Sequence, residues 1–247
     1  ELLQNKALAI VGTRKNTEYG EKCTKKFARQ IAGSGITIVS GLALGVDSIA
    51  HRNSMKHKGK TIAVMGTGFK NIYPQENKKL FREILKNGGC IISEYPPETK
   101  LNKLNFPTRN RIIAGLSCGV LVTEARYRSG SSITAKYAKK QGKPIFCIPN
   151  RIGKVASAGT NNLIKQGANL VTNVNDILLK IGEKPIEKLD EKIEEEPNKE
   201  KKEKHKKINN QYKEIYKKLE KKAITIEELA EKTNKSIIEI NQKITIM

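Results

Sequence analysis

Cysteine is scarce in this chain, and its four copies lie far apart, with no C-x-x-C pair. This spacing excludes the usual zinc-binding and disulfide-scaffold classes, because those require closely spaced thiols. Long apolar runs are also missing, so we expect no membrane-spanning helix and no membrane partner. The first residues, Glu1-Leu-Leu-Gln, lack the basic and then apolar pattern of a secretory leader. These absences predict a reduced, cytoplasmic protein without a metal site.

Two common phosphate-binding loops of nucleotide enzymes are absent as well. The turn Gly12-Thr13-Arg14 does not have the G-x-G-x-x-G spacing of dinucleotide-binding proteins. Gly59-Lys60-Thr61 resembles only the end of a Walker A loop, because Ser54 stands at the earlier glycine position. We therefore expect no cofactor and no ATP hydrolysis.

Acidic residues are few. The 247 residues include 47 Lys and Arg against 25 Asp and Glu, a formal net charge of +22. Residues 1–182 contain 30 of the basic and 10 of the acidic residues, so almost the whole excess lies on this segment. A folded domain with such a field attracts polyanions and speeds their capture. A lysine-rich proteome would give a similar composition, and composition alone leaves that alternative open.

Seven short apolar runs alternate with helix-length amphipathic segments such as Cys23–Ile31 and Ser132–Gln141. Runs that are apolar on both faces predict a parallel sheet covered by helices on both sides. Right-handed crossovers then give an extended Rossmann-like, doubly wound, mostly parallel α/β domain over residues 1–182. The runs are Ala7–Val11, Ile36–Val39, Thr61–Met65, Cys90–Ile92, Gly119–Val122, Pro144–Ile148 and Asn169–Val171.

The composition changes after Gly182. Residues 183–207 are mainly Glu and Lys and predict a charged linker. Residues 208–247 regain a helical apolar pattern and predict a small all-α domain with helix-turn-helix order. It resembles a winged helix that is incomplete, since the sequence stops before a β-wing. A helical protein-contact module fits the same residues equally well.

Local patterns within this second domain support its helices. An apolar stripe is followed by two capping boxes and by a turn at Thr233–Lys235. The stripe consists of Ile208, Tyr212, Ile215, Tyr216 and Leu219, and the boxes pair Thr225 with Glu228 and Ser236 with Glu239.

Chemistry-bearing loops follow the predicted strands. Ligands of doubly wound sheets bind at the carboxyl ends of the strands, so these loops predict the site. Gly12-Thr13 ends a strand ahead of a helix, which favours close approach of a phosphate to the backbone. Arg14 would add charge there, although an arginine at a strand end is also stable when merely solvated.

The segment from Phe106 to Thr134 contributes more than any other. Phe106 lies between Lys103 and Arg109, in a loop interrupted by Pro107. A ring for base stacking beside cations for phosphate suits a single nucleic acid strand, and one such stack is worth about 1–3 kcal/mol. Alternatively, Phe106 anchors the loop in the core. Asn110 is placed to contact the ligand, to cap a helix that begins near Arg109 or to hold the loop.

A second cluster follows the fifth apolar run. It contains Glu124, Arg126, Arg128 and Ser129-Gly130. Glu124 would serve as a general base or, equally well, brace Arg126 or Arg128.

Asp47 and His51 are four residues apart on a predicted helix. This spacing permits a metal site, but a helix cap and a hydrogen-bonded histidine explain it more simply.

In order along the chain, these motifs resemble those of the DNA processing protein A family, also called DprA or Smf. The resemblance covers most of residues 7–180 and is carried by several motifs in the same order. They are Ala9-Ile-Val-Gly-Thr-Arg14, Ser40-Gly-Leu-Ala-Leu-Gly-Val-Asp47, Gly66-Thr-Gly68, Ser93-Glu-Tyr-Pro96, Phe106-Pro-Thr-Arg-Asn-Arg-Ile-Ile-Ala-Gly-Leu116, Ser129-Gly130 and Gly159-Thr-Asn161. Asn150 departs from the glycine usual in the family, so that loop is expected to differ in shape.

The resemblance implies a homodimer that binds and protects single-stranded DNA and loads the RecA recombinase during natural transformation, without catalytic activity. By position, Arg14 and Lys103 would grip phosphates, Phe106 would engage a base, and backbone groups would line the groove. The candidate DNA-binding residues are Gly12, Thr13, Arg14, Lys103, Phe106, Arg109, Asn110, Arg126, Arg128, Ser129, Gly130 and Thr160.

Two other functions are also compatible with the sequence. A nucleotide or nucleoside-monophosphate hydrolase would need Glu124 as its base, but the Gly-Gly-x-Gly-Thr-x-x-Glu loop of such enzymes is absent. A regulator of duplex DNA would depend on the C-terminal helices alone.

Overall fold

Seven parallel strands form the sheet at the centre of the first of two units. The computed structural model describes residues 4–187 and 225–246, which belong to compact units within residues 1–191 and 192–247. The strands are β1 (Ala7–Val11), β2 (Thr37–Ser40), β3 (Thr61–Met65), β4 (Cys90–Ser93), β5 (Val120–Val122), β6 (Ile145–Cys147) and β7 (Asn169–Leu170). Each coincides with one of the seven predicted runs, which confirms the α/β prediction.

The strand order explains where a ligand would lie. It is β4-β3-β2-β1-β5-β6-β7, and every neighbouring pair is parallel. The chain builds outward from β1 to β4, then returns to place β5 on the other side of β1. The connection that leaves β1 and the connection that leaves β5 therefore run to opposite sides of the sheet. The crevice between the carboxyl ends of these two strands is the switch point at which such sheets bind ligands. We call the side of the sheet on which all the strands end the carboxyl edge.

Helices cover both faces because the strands are apolar on both faces. Leu8 and Ile10 of β1 pack with one set of helices, while Ala9 and Val11 pack with the other. The first set is α1 (Glu18–Gly33), α2 (Val46–Lys56) and α7 (Asn175–Lys180), and the second includes α4 (Asn105–Gly115) and α5 (Gly130–Lys140). A 3-10 turn (Gln75–Asn77), α3 (Lys78–Lys86) and α6 (Ala158–Lys165) complete the unit.

Helix α4 begins earlier than the sequence predicted. Phe106 and Pro107 lie in its first turn rather than in a loop. Proline is tolerated there because the first backbone N–H groups of a helix have no intrahelical acceptor. The early start places Arg109 and Asn110 in the second turn, where both side chains are buried.

The described part of the second unit consists of α8 (Ile226–Thr233) and α9 (Ile237–Ile246), which pack through Leu229, Ala230 and Ile240. Both predicted capping residues begin helices. The Thr225 hydroxyl accepts from the Glu228 N–H, and Ser236 and Glu239 each accept from the other's backbone N–H. Asn234, at φ +54°, ends α8 in the left-handed conformation.

Other expectations for the C-terminal region stay predictions. The stripe Ile208–Leu219 and residues 188–207 of the linker lie outside the described residues, and the boundary after Gly182 is likewise untested. Among residues 4–187 and 225–246, no helix is long and apolar enough to cross a membrane.

Candidate nucleic-acid interface

The turn between β1 and α1 is tied to the strand and helix beside it. A Cβ at Gly12 would lie 2.6 Å from Val46 Cγ2 and 2.8 Å from the Glu124 carbonyl oxygen, so only glycine fits. Thr13 N–H donates to that same carbonyl at 2.8 Å, and its own carbonyl accepts from Val46 N–H at 3.2 Å. The Thr13 backbone thus holds the turn together. Arg14, next in the chain, is exposed.

Glu124 secures the same turn from below. Its fully buried carboxylate accepts from Thr17 N–H at 2.8 Å and from the Thr17 hydroxyl at 2.7 Å. A Cβ at Gly20 would collide with one of its oxygens, so α1 approaches closely. The expectation that Glu124 braces Arg126 or Arg128 is wrong: those arginines are exposed, and the carboxylate points to the start of α1. Residues 107 positions apart in sequence give no local signal for this pair.

Phe106 and Arg14 come together at the carboxyl edge. The Arg14 guanidinium carbon lies 5.7 Å from the centroid of the Phe106 ring, within cation–π range. The ring also packs against Gly66, where a Cβ would lie 2.8 Å from it, and against Tyr73 at a centroid distance of 5.6 Å. Phe106 is half-buried, so it both anchors the start of α4 and keeps part of its ring accessible.

Arg109 lies behind Phe106 and is only 4% exposed. Its guanidinium donates to the carbonyls of Gly41 and Val64, in the loop after β2 and in β3, and lies 5.9 Å from the Phe106 ring centroid. Asp47 is its buried counter-ion. Burial lowers the pKa of Arg109 to about 10, opposed by Asp47, while burial raises the pKa of Asp47, opposed by Arg109. This placement differs from the phosphate contact expected from sequence.

Two further candidates are internal. Asn110 is buried and donates from Nδ2 to the Gly130 carbonyl at 3.2 Å, joining α4 to the start of α5. Thr160 is fully buried, and its hydroxyl donates to the Ser157 carbonyl at 3.1 Å. Both side chains face the interior because their helices pack on the sheet. A motif shows which residues are present, but the direction of their side chains depends on where the helix begins, and the sequence predicted the start of α4 too late.

The remaining candidates are accessible. Lys103 is exposed in the turn that leads into α4, three residues before Phe106. Arg126, Arg128 and Gly130 are exposed as well, and Ser129 precedes α5 with its hydroxyl 2.8 Å from that of Ser131.

Tyr127 is an exposed ring that sequence reasoning missed. The Arg128 guanidinium carbon lies 5.4 Å from the Tyr127 ring centroid. The available signal was an aromatic residue between two arginines.

The spacing of Asp47 and His51 reflects hydrogen bonding. Asp47 Oδ2 accepts from Gly41 N–H at 3.1 Å, while His51 Nδ1 lies 2.7 Å from the Thr61 hydroxyl. Burial lowers the pKa of His51 to about 3, with Arg109 and Arg52 adding to the effect. Within the described ranges, no group of three or more His, Cys, Asp or Glu side chains is placed to hold a metal ion.

Comparison with known proteins agrees with this architecture. Residues 1–182 match the family model of DNA recombination-mediator protein A. Protein Smf of Escherichia coli is 46% identical over 171 residues, which are 69% of this chain and 46% of that protein. DNA processing protein DprA of Streptococcus pneumoniae is 43% identical over 178 residues, which are 72% of this chain and 62% of that protein. The chain thus spans about half to two thirds of the length of these curated relatives.

Solved structures give the same result. The X-ray structure of DprA from Streptococcus pneumoniae superposes with a TM-score of 0.68 at 43% identity, covering 72% of this chain and 62% of that one. DNA processing protein A from Helicobacter pylori gives a TM-score of 0.67 at 38% identity, with coverages of 73% and 82%. The chain has the seven-stranded parallel sheet described above, and its residues 1–182 match the family model. It therefore belongs to the DNA recombination-mediator protein A family, whose relatives here are named DprA or Smf.

Proposed function

We propose that this protein binds single-stranded DNA along its carboxyl edge and delivers it to the RecA recombinase during natural transformation. The observation that carries the DNA-binding part is Arg14 lying over Phe106 beside the switch point. The net charge of residues 1–182 supports it, as does the relative from Helicobacter pylori, which binds single-stranded DNA.

Each group at the edge has a physical role in this proposal. Phe106 stacks on a base, which is sequence-tolerant because every base has a π-face. Arg14 and Lys103 neutralise phosphates, and the first turn of α5 at Ser129 adds backbone N–H donors. Arg109 contacts no phosphate: it holds the loops after β2 and β3 and the back of the Phe106 ring in place.

The deciding experiment is a titration of single-stranded and duplex DNA across a range of salt concentrations. Neutralising about six phosphates gives a slope near −4 for log affinity against log salt on single strands. Phe106→Ala is expected to weaken binding roughly 5- to 150-fold, the equivalent of a stack worth about 1–3 kcal/mol. Arg14→Gln should weaken all sequences alike and reduce the steepness of the slope by about 0.7.

Lys139→Gln is the matched control, since Lys139 is an exposed cation in the last turn of α5, away from the carboxyl edge. It should leave the affinity nearly unchanged. Equal binding by Arg14→Gln and wild type would refute the proposed interface.

Homodimerisation and delivery to RecA form part of the same proposal. Sedimentation should give twice the chain mass of 27.6 kDa, and the protein should accelerate RecA filament formation on coated single strands. A monomer that leaves RecA unaffected would limit the function to strand binding. A hydrolase gains no support from the described residues, because both Glu124 oxygens accept hydrogen bonds from Thr17.

A further inference from the structure

We propose that Tyr127 is a second base-stacking site for single-stranded DNA, on the other side of the switch point from Phe106. This inference rests on the proposed function and extends it from one stacked base to two. It starts from an exposed ring that the structure leaves without an internal role.

Tyr127 is 56% exposed, more than any other aromatic side chain among the described residues; Tyr19 follows at 44% and Phe69 at 41%. The ring is paired with a cation in the same way as Phe106. Arg128 lies 5.4 Å from its centroid, and Arg14 lies 5.7 Å from that of Phe106. A guanidinium beside an accessible ring offers a phosphate partner and a stacking surface together.

The turn that presents Tyr127 is held on both sides. Ahead of it, Ala125 N–H donates to the Ala156 carbonyl at 3.1 Å, and the Ala125 carbonyl accepts from Gly159 N–H at 2.8 Å. Behind it, the Gly130 carbonyl accepts from Asn110 at 3.2 Å. A ring on a fixed backbone loses little conformational entropy when it stacks.

Charge and position place this ring on the path of the same strand. Arg126 and Arg128 are exposed, and neither forms an ion pair with any residue in the described part of the chain. The turn follows β5, whereas the Phe106 ring packs on Gly66 after β3, beneath Arg14 after β1. The two rings therefore lie at the carboxyl edge on either side of the β1–β5 crevice. The Asn110–Gly130 bond joins α4, which carries Phe106, to the start of α5, just after the turn that carries Tyr127.

The test is an abasic scan with the 247-residue chain. The shortest oligonucleotide that binds with full affinity is made as a set, each member lacking one base. Wild type should lose affinity by roughly 5- to 150-fold at two separate positions, one for each ring. Tyr127→Ala should bind the intact oligonucleotide correspondingly more weakly and become insensitive at one position, and Phe106→Ala should become insensitive at the other. Tyr127→Phe keeps the ring and should retain both.

A second measurement does not depend on a truncated side chain. The chain has no tryptophan, so its intrinsic emission comes from tyrosine. The emission difference between wild type and Tyr127→Phe should be present in free protein and vanish when DNA saturates it. A difference that persists, or an abasic profile unchanged in Tyr127→Ala, would overturn the second site while leaving the Phe106 interface intact. Failure of wild type to bind single strands at all would instead refute the proposed function.

Discussion

At the scale of single residues, the proposed interface divides into groups expected to contact DNA and groups that position them. Arg14 and Arg109 both lie against Phe106, at 5.7 and 5.9 Å. Arg14 is exposed, while Arg109 uses its donors on backbone carbonyls. The two arginines lie at similar distances from the same ring, but one is exposed and the other buried, so we assign them different roles.

Arg109→Lys tests this division. Lysine keeps the charge beside Asp47 but cannot donate in the planar fork, so the unfolding free energy should fall by about 1–3 kcal/mol. Binding should weaken because the Phe106 ring loses its support, yet the salt slope should equal that of wild type. Chemical denaturation measures the unfolding free energy, and titration at several salt concentrations measures the affinity and the slope. Because lysine keeps the charge, the phosphate contact itself is tested with Arg109→Gln: a slope reduced as in Arg14→Gln would show that Arg109 contacts a phosphate after all.

His51 predicts a pH dependence of stability. Its pKa is about 3 in the folded chain and about 6.5 when exposed, so the unfolded state binds the extra proton between these values. The stability it contributes is full above pH 6.5 and is lost as pH falls toward 3, by up to about 1.4 kcal/mol per pH unit. Urea unfolding between pH 6.5 and 5 should show a shallower decline for His51→Gln. Parallel curves for the two proteins would disprove this assignment.

At the scale of elements, the start of α1 depends on a strand far away in sequence. Thr17 caps the helix through its hydroxyl, which accepts from Gly20 N–H at 3.1 Å. Its own N–H and its hydroxyl hydrogen both go to Glu124 at the end of β5. One carboxylate beside the switch point therefore holds the start of α1 and, with it, the turn that carries Arg14.

Glu124→Gln should lower the unfolding free energy by about 1–3 kcal/mol, because an amide offers one oxygen where two donors converge. Denaturant melts of this variant and of Thr17→Ser, which retains both donors, would measure it. Stability equal to wild type would contradict the bracing role.

The same variant also tests the rival hydrolase. If wild type releases the base from nucleoside monophosphates and Glu124→Gln does not, the hydrolase is favoured instead.

At the scale of the whole molecule, the charge and the match to known proteins both fall on residues 1–182. A chain ending at residue 182 should therefore keep the single-strand affinity and salt slope of the 247-residue chain. The comparison is made by titration, with duplex DNA as the second ligand. If the shortened chain no longer binds single strands, the site lies in the C-terminal helices instead, and the duplex-DNA regulator is favoured.

The sequence was sufficient to predict the fold class, and it also predicted the edge at which we propose the site. Alternation of apolar runs with amphipathic segments is a local periodicity, so all seven strands and the caps at Thr225 and Ser236 could be read directly. Single-sign charge and a ring beside cations indicated the ligand class.

Which of the candidate side chains are exposed depends on how the helices pack on the sheet. Arg109 and Asn110 proved internal because α4 starts one turn early, and Glu124 found its partner across the β1–β5 junction. The pairing of Arg14 with Phe106 likewise joins residues 92 positions apart. Local patterns fix the period of each element, but crossover connections and helix phase determine which side chains meet. Those depend on packing of the whole sheet.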